Sequence, residues 1–186
     1  VRKMHSTRRD AFQTVNSERI AEITITKDGL THNSTKSMPQ REINSPTQFS
    51  ADVKIAQFIA GPHLYSDMLK SAEGNGYSAI LIHGTGLGHL PIENSNGDAP
   101  ENDELAKTII DMSIPVIVAN QCVHGPVDLN VYSKGRIQQD MGVLGHGSNA
   151  SPEALLVKIH WILSNGLDLD LLSQDLCGEN SPILNS

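Results

Sequence analysis

The chain has 186 residues, with 14 Lys and Arg against 21 Asp and Glu and a net charge of −7 at pH 7. Hydrophobic residues make up 38% and aromatic residues 4%, so the core has to be aliphatic, and the length admits one domain or one domain plus an appended piece. The negative charge disfavours broad binding to a phosphate backbone. No apolar run reaches the ~20 residues that span a bilayer, and no stretch reads as a signal peptide, so no membrane partner is expected. Two cysteines, Cys122 and Cys177, make no disulfide framework and point to a reducing cytoplasm.

The chain opens on Val1 inside a charged, helix-competent segment, as a fragment of a longer protein would. Arg2, Lys3, Arg8 and Arg9 make this start basic, and Ala11, Phe12, Val15 and Ile20 are its candidate buried positions. Residues Thr26 to Ser50 are polar, lack periodicity and contain Pro39 and Pro46, which predicts a linker. A compact domain is expected from Ala51 onward. Val53–Ala60 alternates as a first strand, Gly61-Pro62 turns the chain, and His63–Glu73 carries Leu64, Met68, Leu69 and Ala72 at helical spacing. Gly74-Asn75-Gly76 stops that helix.

Ala79–Ile82 and Pro115–Ala119 are short apolar runs that read as buried strands, with a helix over Glu101–Met112 between them. A short helix is predicted over Arg136–Met141. Ser151-Pro152-Glu153 is a strong helix start, with a capping Ser, Pro at the first position and an acid suited to the dipole. That helix runs to Ser164 and closes at Asn165-Gly166. The order strand, helix, strand, helix, strand, loop, helix predicts an α/β fold: a small, mostly parallel, three-layer sheet domain.

Both apolar strands empty into polar, glycine-bearing loops, which places a site at the carboxyl edge of the sheet. Gly84-Thr85-Gly86-Leu87-Gly88 is not a dinucleotide cradle, because residues 94–100 intervene before the next helix, whose N-terminus would have to meet the phosphate. It reads as a tight strand exit whose glycines permit close approach by a neighbouring protomer. His83, His89, His124 and His146 with Asp128 invite a metal reading, but their spacing matches no ligand motif, and no metal is expected. Cys122 and His124 lie two apart in a loop without an oxyanion-forming helix start, so Cys122 is expected to be a half-buried structural thiol. In Asn130, Tyr132, Lys134 and Arg136 the polar residues alternate, facing either a cleft, a boundary between protomers or solvent.

The runs Val1–Asn16, with Asp10-Ala11-Phe12 and Asn16, and Gly76–His89, ending Gly-Thr-Gly-Leu-Gly-His, resemble the L-asparaginase family. Together with Asn130-Val131-Tyr132-Ser133-Lys134-Gly135-Arg136 they are most similar to its branch of D-type subunits from archaeal-type Glu-tRNA(Gln) amidotransferases. Leu176-Cys177-Gly178-Glu179 matches less distinctively. The resemblance implies residues 1–24 as the tail of a first asparaginase-like domain, 25–50 as interdomain linker and 51–186 as the C-terminal asparaginase-like domain. It implies a glutaminase that releases ammonia from Gln, or from Asn. An E-type amidotransferase subunit, using ATP and Mg, is the implied partner and consumes that ammonia in converting Glu-tRNA(Gln) to Gln-tRNA(Gln). The alternative is the C-terminal domain of a cytoplasmic L-asparaginase.

The family's nucleophilic Thr, its Thr-Asp pair and its Lys lie upstream of the segment that Val1 begins, and no Thr-Gly-Gly-Thr-type opening occurs in this sequence. No catalytic residue is therefore assigned, no cofactor is expected in this chain, and the fragment alone should be inactive. The family's active sites lie near a homodimer interface, where the partner's second domain helps hold the substrate. Asn130 and Tyr132 are the positions expected to bind substrate across that interface.

Overall fold

The computed structural model describes residues 1–34 and 47–180; the part of the expected linker at 35–46, with Pro39 and Pro46, lies outside the described residues. The chain divides into two compact units, Val1–Thr47 and Gln48–Ser186. The first holds two antiparallel strand pairs: β1 (Arg2–Lys3) with β2 (Phe12–Gln13), and β3 (Ala21–Thr26) with β4 (Gly29–Ser34). The opening segment, expected to be helix-competent, is therefore extended. Of its candidate buried residues Ala11 is buried, whereas Phe12 and Ile20 are exposed. The β3–β4 hairpin crosses the expected boundary at residue 24: in β3, Ile23 and Ile25 alternate with Glu22, Thr24 and Thr26, and β4 lies in the stretch expected to be linker. Its cause is local: Lys27-Asp28 make the turn between the paired Thr26 and Gly29, Gly29 stands at φ 132°, and Thr26 Oγ1 accepts the Asp28 N–H at 3.3 Å.

The second unit is the predicted three-layer domain. Strands β5 (Ile55–Ile59), β6 (Ala79–Gly84) and β7 (Val116–Asn120) form one parallel sheet in that order, with Ala56 opposite Ile80 and Ile80 opposite Val116. Helices α1 (Ser66–Gly74) and α2 (Pro100–Asp111) cover one face, where Leu69, Ile80, Ile82, Leu105, Ile109 and Val118 pack. Alternate strand residues point the other way. Ala79, Leu81, Ile117 and Ala119 meet Leu155, Ile159 and Ile162 of α4 (Pro152–Ser164), with Leu172 from a short 3-10 helix, Leu169–Ser173. Burial on both faces is why β6 and β7 read as continuous apolar runs.

Local chemistry sets the ends of the elements. Pro100 opens α2 at the first position, where its missing N–H costs nothing. Ser151 caps α4 by accepting the Ala154 N–H at 3.3 Å. α1 begins at Ser66 rather than near His63, because the turn after Gly61-Pro62 extends through Tyr65. α3 (Ser133–Asp140) begins three residues earlier than expected, so Lys134 and Arg136 lie in its first turn instead of an alternating loop. No helix among the described residues is long and apolar enough to cross a membrane.

Candidate functional site

The carboxyl ends of β6 and β7 organise the candidate site. Gln121, just past β7, donates from Nε2 to the carbonyls of Ala60 (2.9 Å) and His83 (2.7 Å), tying together the exits of β5, β6 and β7. Asn120 holds the next turn by donating to Pro126 O at 3.1 Å and accepting the Cys122 N–H at 2.8 Å. Cys122 is thus engaged through its backbone, and its side chain turns outward. The expected half-buried thiol is exposed, as is His124.

The loop after β6 closes on itself through an antiparallel bridge between Thr85 and His89. A Cβ on Gly84 would lie 2.4 Å from the Gly88 carbonyl carbon, so glycine is required there. The close approach that these glycines permit is made by the chain's own residues. Gln138 of α3, fully buried, fixes the same loop by accepting the Leu90 N–H at 2.8 Å and donating to Gly88 O at 3.1 Å.

Asn130 and Tyr132 emerge between these two loops and α3. Tyr132 is 59% exposed, and its ring stands edge-on to His89 with centroids 5.6 Å apart. Burial lowers the His89 pKa below the usual histidine value, aided by the Lys134 ammonium and opposed by Glu93. His89 Nε2 is buried and has no hydrogen-bond partner among the described residues.

Asn130 is the centre of a polar cluster. Its amide nitrogen lies 2.9 Å from His146 Nε2, and its amide oxygen accepts from Gln139 Nε2 at 3.0 Å. Its backbone N–H donates to Asp128 Oδ1 at 3.0 Å and its carbonyl accepts from Arg136 at 2.8 Å. On the other side of the imidazole, Nδ1 accepts the Leu129 N–H at 3.1 Å, while Asp128 Oδ1 stays 3.8 Å away, beyond hydrogen-bond range. An Nδ1 that accepts forces a neutral ring to carry its proton on Nε2. The bond to Asn130 is then made to an amide oxygen, with the Asn130 and Gln139 amides both turned over so that the second bond survives.

His146 comes within 3.8 Å of Asp128, and no group of three or more His, Cys, Asp or Glu side chains among the described residues is arranged to hold a metal ion. The sequence marks His146 only as a loop histidine and gives no sign of Gln138 and Gln139. Their α3 segment is polar apart from Ile137, which is itself exposed, so no periodicity marks the residues that turn inward.

The sequence pattern of the family described as "Glutaminase/Asparaginase C-terminal domain" matches residues 52–174. The chain is 32% identical to the D-type subunit of the Glutamyl-tRNA(Gln) amidotransferase of Methanobrevibacter smithii, over 96% of this chain and 40% of that protein. Against the protein of the same name from Methanococcus maripaludis the identity is 34%, over 100% of this chain and 43% of the relative. The chain thus spans about two-fifths of the length of these curated relatives. Among solved structures, the thermostable L-asparaginase from Thermococcus kodakarensis superposes with a TM-score of 0.72 at 23% identity, covering 96% of this chain and 52% of that one. L-asparaginase I from Vibrio cholerae gives 0.67 at 22%, covering 92% and 49%.

Proposed function

The chain belongs to the Glutaminase/Asparaginase C-terminal domain family, and from that premise we propose that it is the carboxy-terminal part of the glutaminase subunit of a Glu-tRNA(Gln) amidotransferase. The observation that carries this reading is the extent of similarity to the D-type amidotransferase subunits, which takes in 96–100% of the chain, including the tail that precedes the matched domain. The asparaginase structures, at 22–23% identity, speak for the fold alone.

In this reading the complete cytoplasmic protein, a homodimer, hydrolyses the side-chain amide of Gln, or of Asn. An E-type subunit then uses the ammonia, with ATP and Mg, on Glu-tRNA(Gln). The bond-breaking groups lie outside this chain. Its own contribution is to hold the non-reacting end of the substrate from across the homodimer interface. The exposed Tyr132 phenol and the Asn130 amide, already oriented by His146 and Gln139, supply the hydrogen bonds. Fixing a remote part of the substrate is how binding energy orients the amide for attack.

The test uses the complete gene product together with the E-type subunit. Gln-dependent conversion of Glu-tRNA(Gln) is the expected result, and a protein that hydrolyses amides but never supports that conversion overturns the reading. Tyr132→Phe should raise KM for Gln by roughly 3- to 10-fold with kcat nearly unchanged, the loss of one hydrogen bond made alike in ground and transition states.

A further inference from the structure

We propose that Asn180 is a positioning residue for the Asn130 amide, holding the 145–150 loop and, through His146, the substrate-facing cluster. The inference rests on the reading of Asn130 as a substrate-binding group, and its structural half stands apart from that reading.

Asn180 is 4% exposed and lies far along the chain from the loop it holds. Its Oδ1 accepts three hydrogen bonds: from Ser148 Oγ at 3.2 Å and from the Asn149 and Ala150 N–H groups at 3.0 Å each. Its Nδ2 donates to the carbonyls of Leu172 and Gln174, both at 3.0 Å. One amide thereby clamps the loop before α4 onto the end of the 3-10 helix and the residue that follows it.

The clamp is itself anchored. Lys158, on the buried side of α4, pairs with Glu179 at 2.6 Å, their side chains only 5% and 9% exposed. The same ammonium donates to Leu172 O at 3.2 Å and to Gln174 O, the two carbonyls that Asn180 also uses. Burial acts to raise the Glu179 pKa, but the bonds from Lys158 and the Cys177 backbone outweigh it and bring it to about 2. The residue next to Asn180 is thus fixed as a carboxylate at neutral pH.

From the clamp the bonding continues to the site. Ser148 O accepts the Val127 N–H at 2.8 Å, and the Gly147 N–H donates to Val127 O at 2.9 Å. Between Gly147 and Gly145 sits His146, whose Nδ1 takes the Leu129 N–H and whose Nε2 meets the Asn130 amide. Gly145, at φ 112°, has room for no Cβ, which would lie 2.4 Å from Val118 O. The loop is thus pinned at Gly145 and at Ser148–Ala150, and His146 has one place to stand.

The experiment uses the complete protein, labelled with 15N-histidine, in four forms: the parent, His146→Gln, Asn180→Ala and Asn180→Asp. The His146 signal is assigned by its disappearance in His146→Gln. The parent should show a single Nε2-protonated tautomer. Asn180→Ala should lose that signature and raise KM for Gln roughly tenfold with kcat within about twofold. Asn180→Asp puts a carboxylate oxygen against the Leu172 and Gln174 carbonyls in place of the amide donor, breaking that half of the clamp, and should behave like the alanine variant in both readouts. An Asn180→Ala protein with the parental tautomer signature, or with an unaltered KM, overturns the proposal. So does a loss in kcat alone, or an Asn180→Asp protein that keeps both the parental tautomer signature and the parental KM. If Asn180→Ala does not fold, Asn180→Ser, which loses reach rather than polarity, takes its place under the same criteria. A parent that hydrolyses no glutamine defeats the functional reading, while the His146 signature still decides whether Asn180 holds the loop.

Discussion

The parallel sheet and the β3–β4 hairpin both carry Ile and Leu in their strands, and these side chains end in opposite environments. Ile80, Leu81, Ile82 and Ile117 are fully buried, whereas Ile23, Ile25 and Leu30 are 65%, 74% and 64% exposed. In the hairpin Ile25 faces Leu30 across the ladder and Ile23 faces His32, so its apolar side chains gather on one face of the ribbon. The difference is the cover: the sheet has helices on both faces, and the hairpin is described with none of its residues buried. Strand pattern sets which side chains share a face, and a packed second layer turns that face into stabilisation.

The largest test of this contrast strikes the covering layer. Lys158→Met leaves Glu179 buried without its partner and should cost about 3–5 kcal/mol in denaturant unfolding, while replacing both residues by Met should recover most of the loss. A single variant as stable as the parent would mean that the pair is solvated in solution. Next, Leu81→Ala opens a cavity between the sheet and α4 and should cost about 2–5 kcal/mol.

Acid gives a graded version of the same comparison. The Glu179 pKa is lowered from its ordinary 4.5 to about 2, so its contribution is complete above about 4.5 and is lost as pH falls through about 2. Thermal melts between pH 5 and 2 should show the parent losing stability that a double Met variant at 158 and 179 does not lose. The smallest effect belongs to the hairpin. Ile25→Thr keeps β propensity at an exposed site and should leave Tm unchanged, and a clear fall would reveal a cover for that face.

The candidate site was legible in outline and hidden in its working parts. Two apolar strands ending in glycine-bearing loops located it at the sheet's carboxyl edge, and Asn130 and Tyr132 emerge there. The structure separates the two: Tyr132 keeps an exposed phenol, and the Asn130 amide is bound within the chain. The buried pair went unmarked: Lys158 sits in α4 beside Leu155, Ile159 and Ile162, where a lysine reads as the solvated edge of a helix. Nothing local could say that its acid is Glu179. Asn180 left no trace at all, since an asparagine near the end of a polar segment reads as a surface residue.

By itself the sequence determined the order of strands and helices in residues 51–164, the burial of β6 and β7 and the start of α4, because periodicity and capping act between residues a few positions apart. The tertiary structure alone decided where α3 begins, which glycines face backbone and how the loops at the sheet edge are held. Those outcomes rest on hydrogen bonds and contacts between residues tens of positions apart, such as Leu90 with Gln138 and Ala150 with Asn180. Only closure of the fold brings such partners within 3 Å, and no spacing along the chain encodes them.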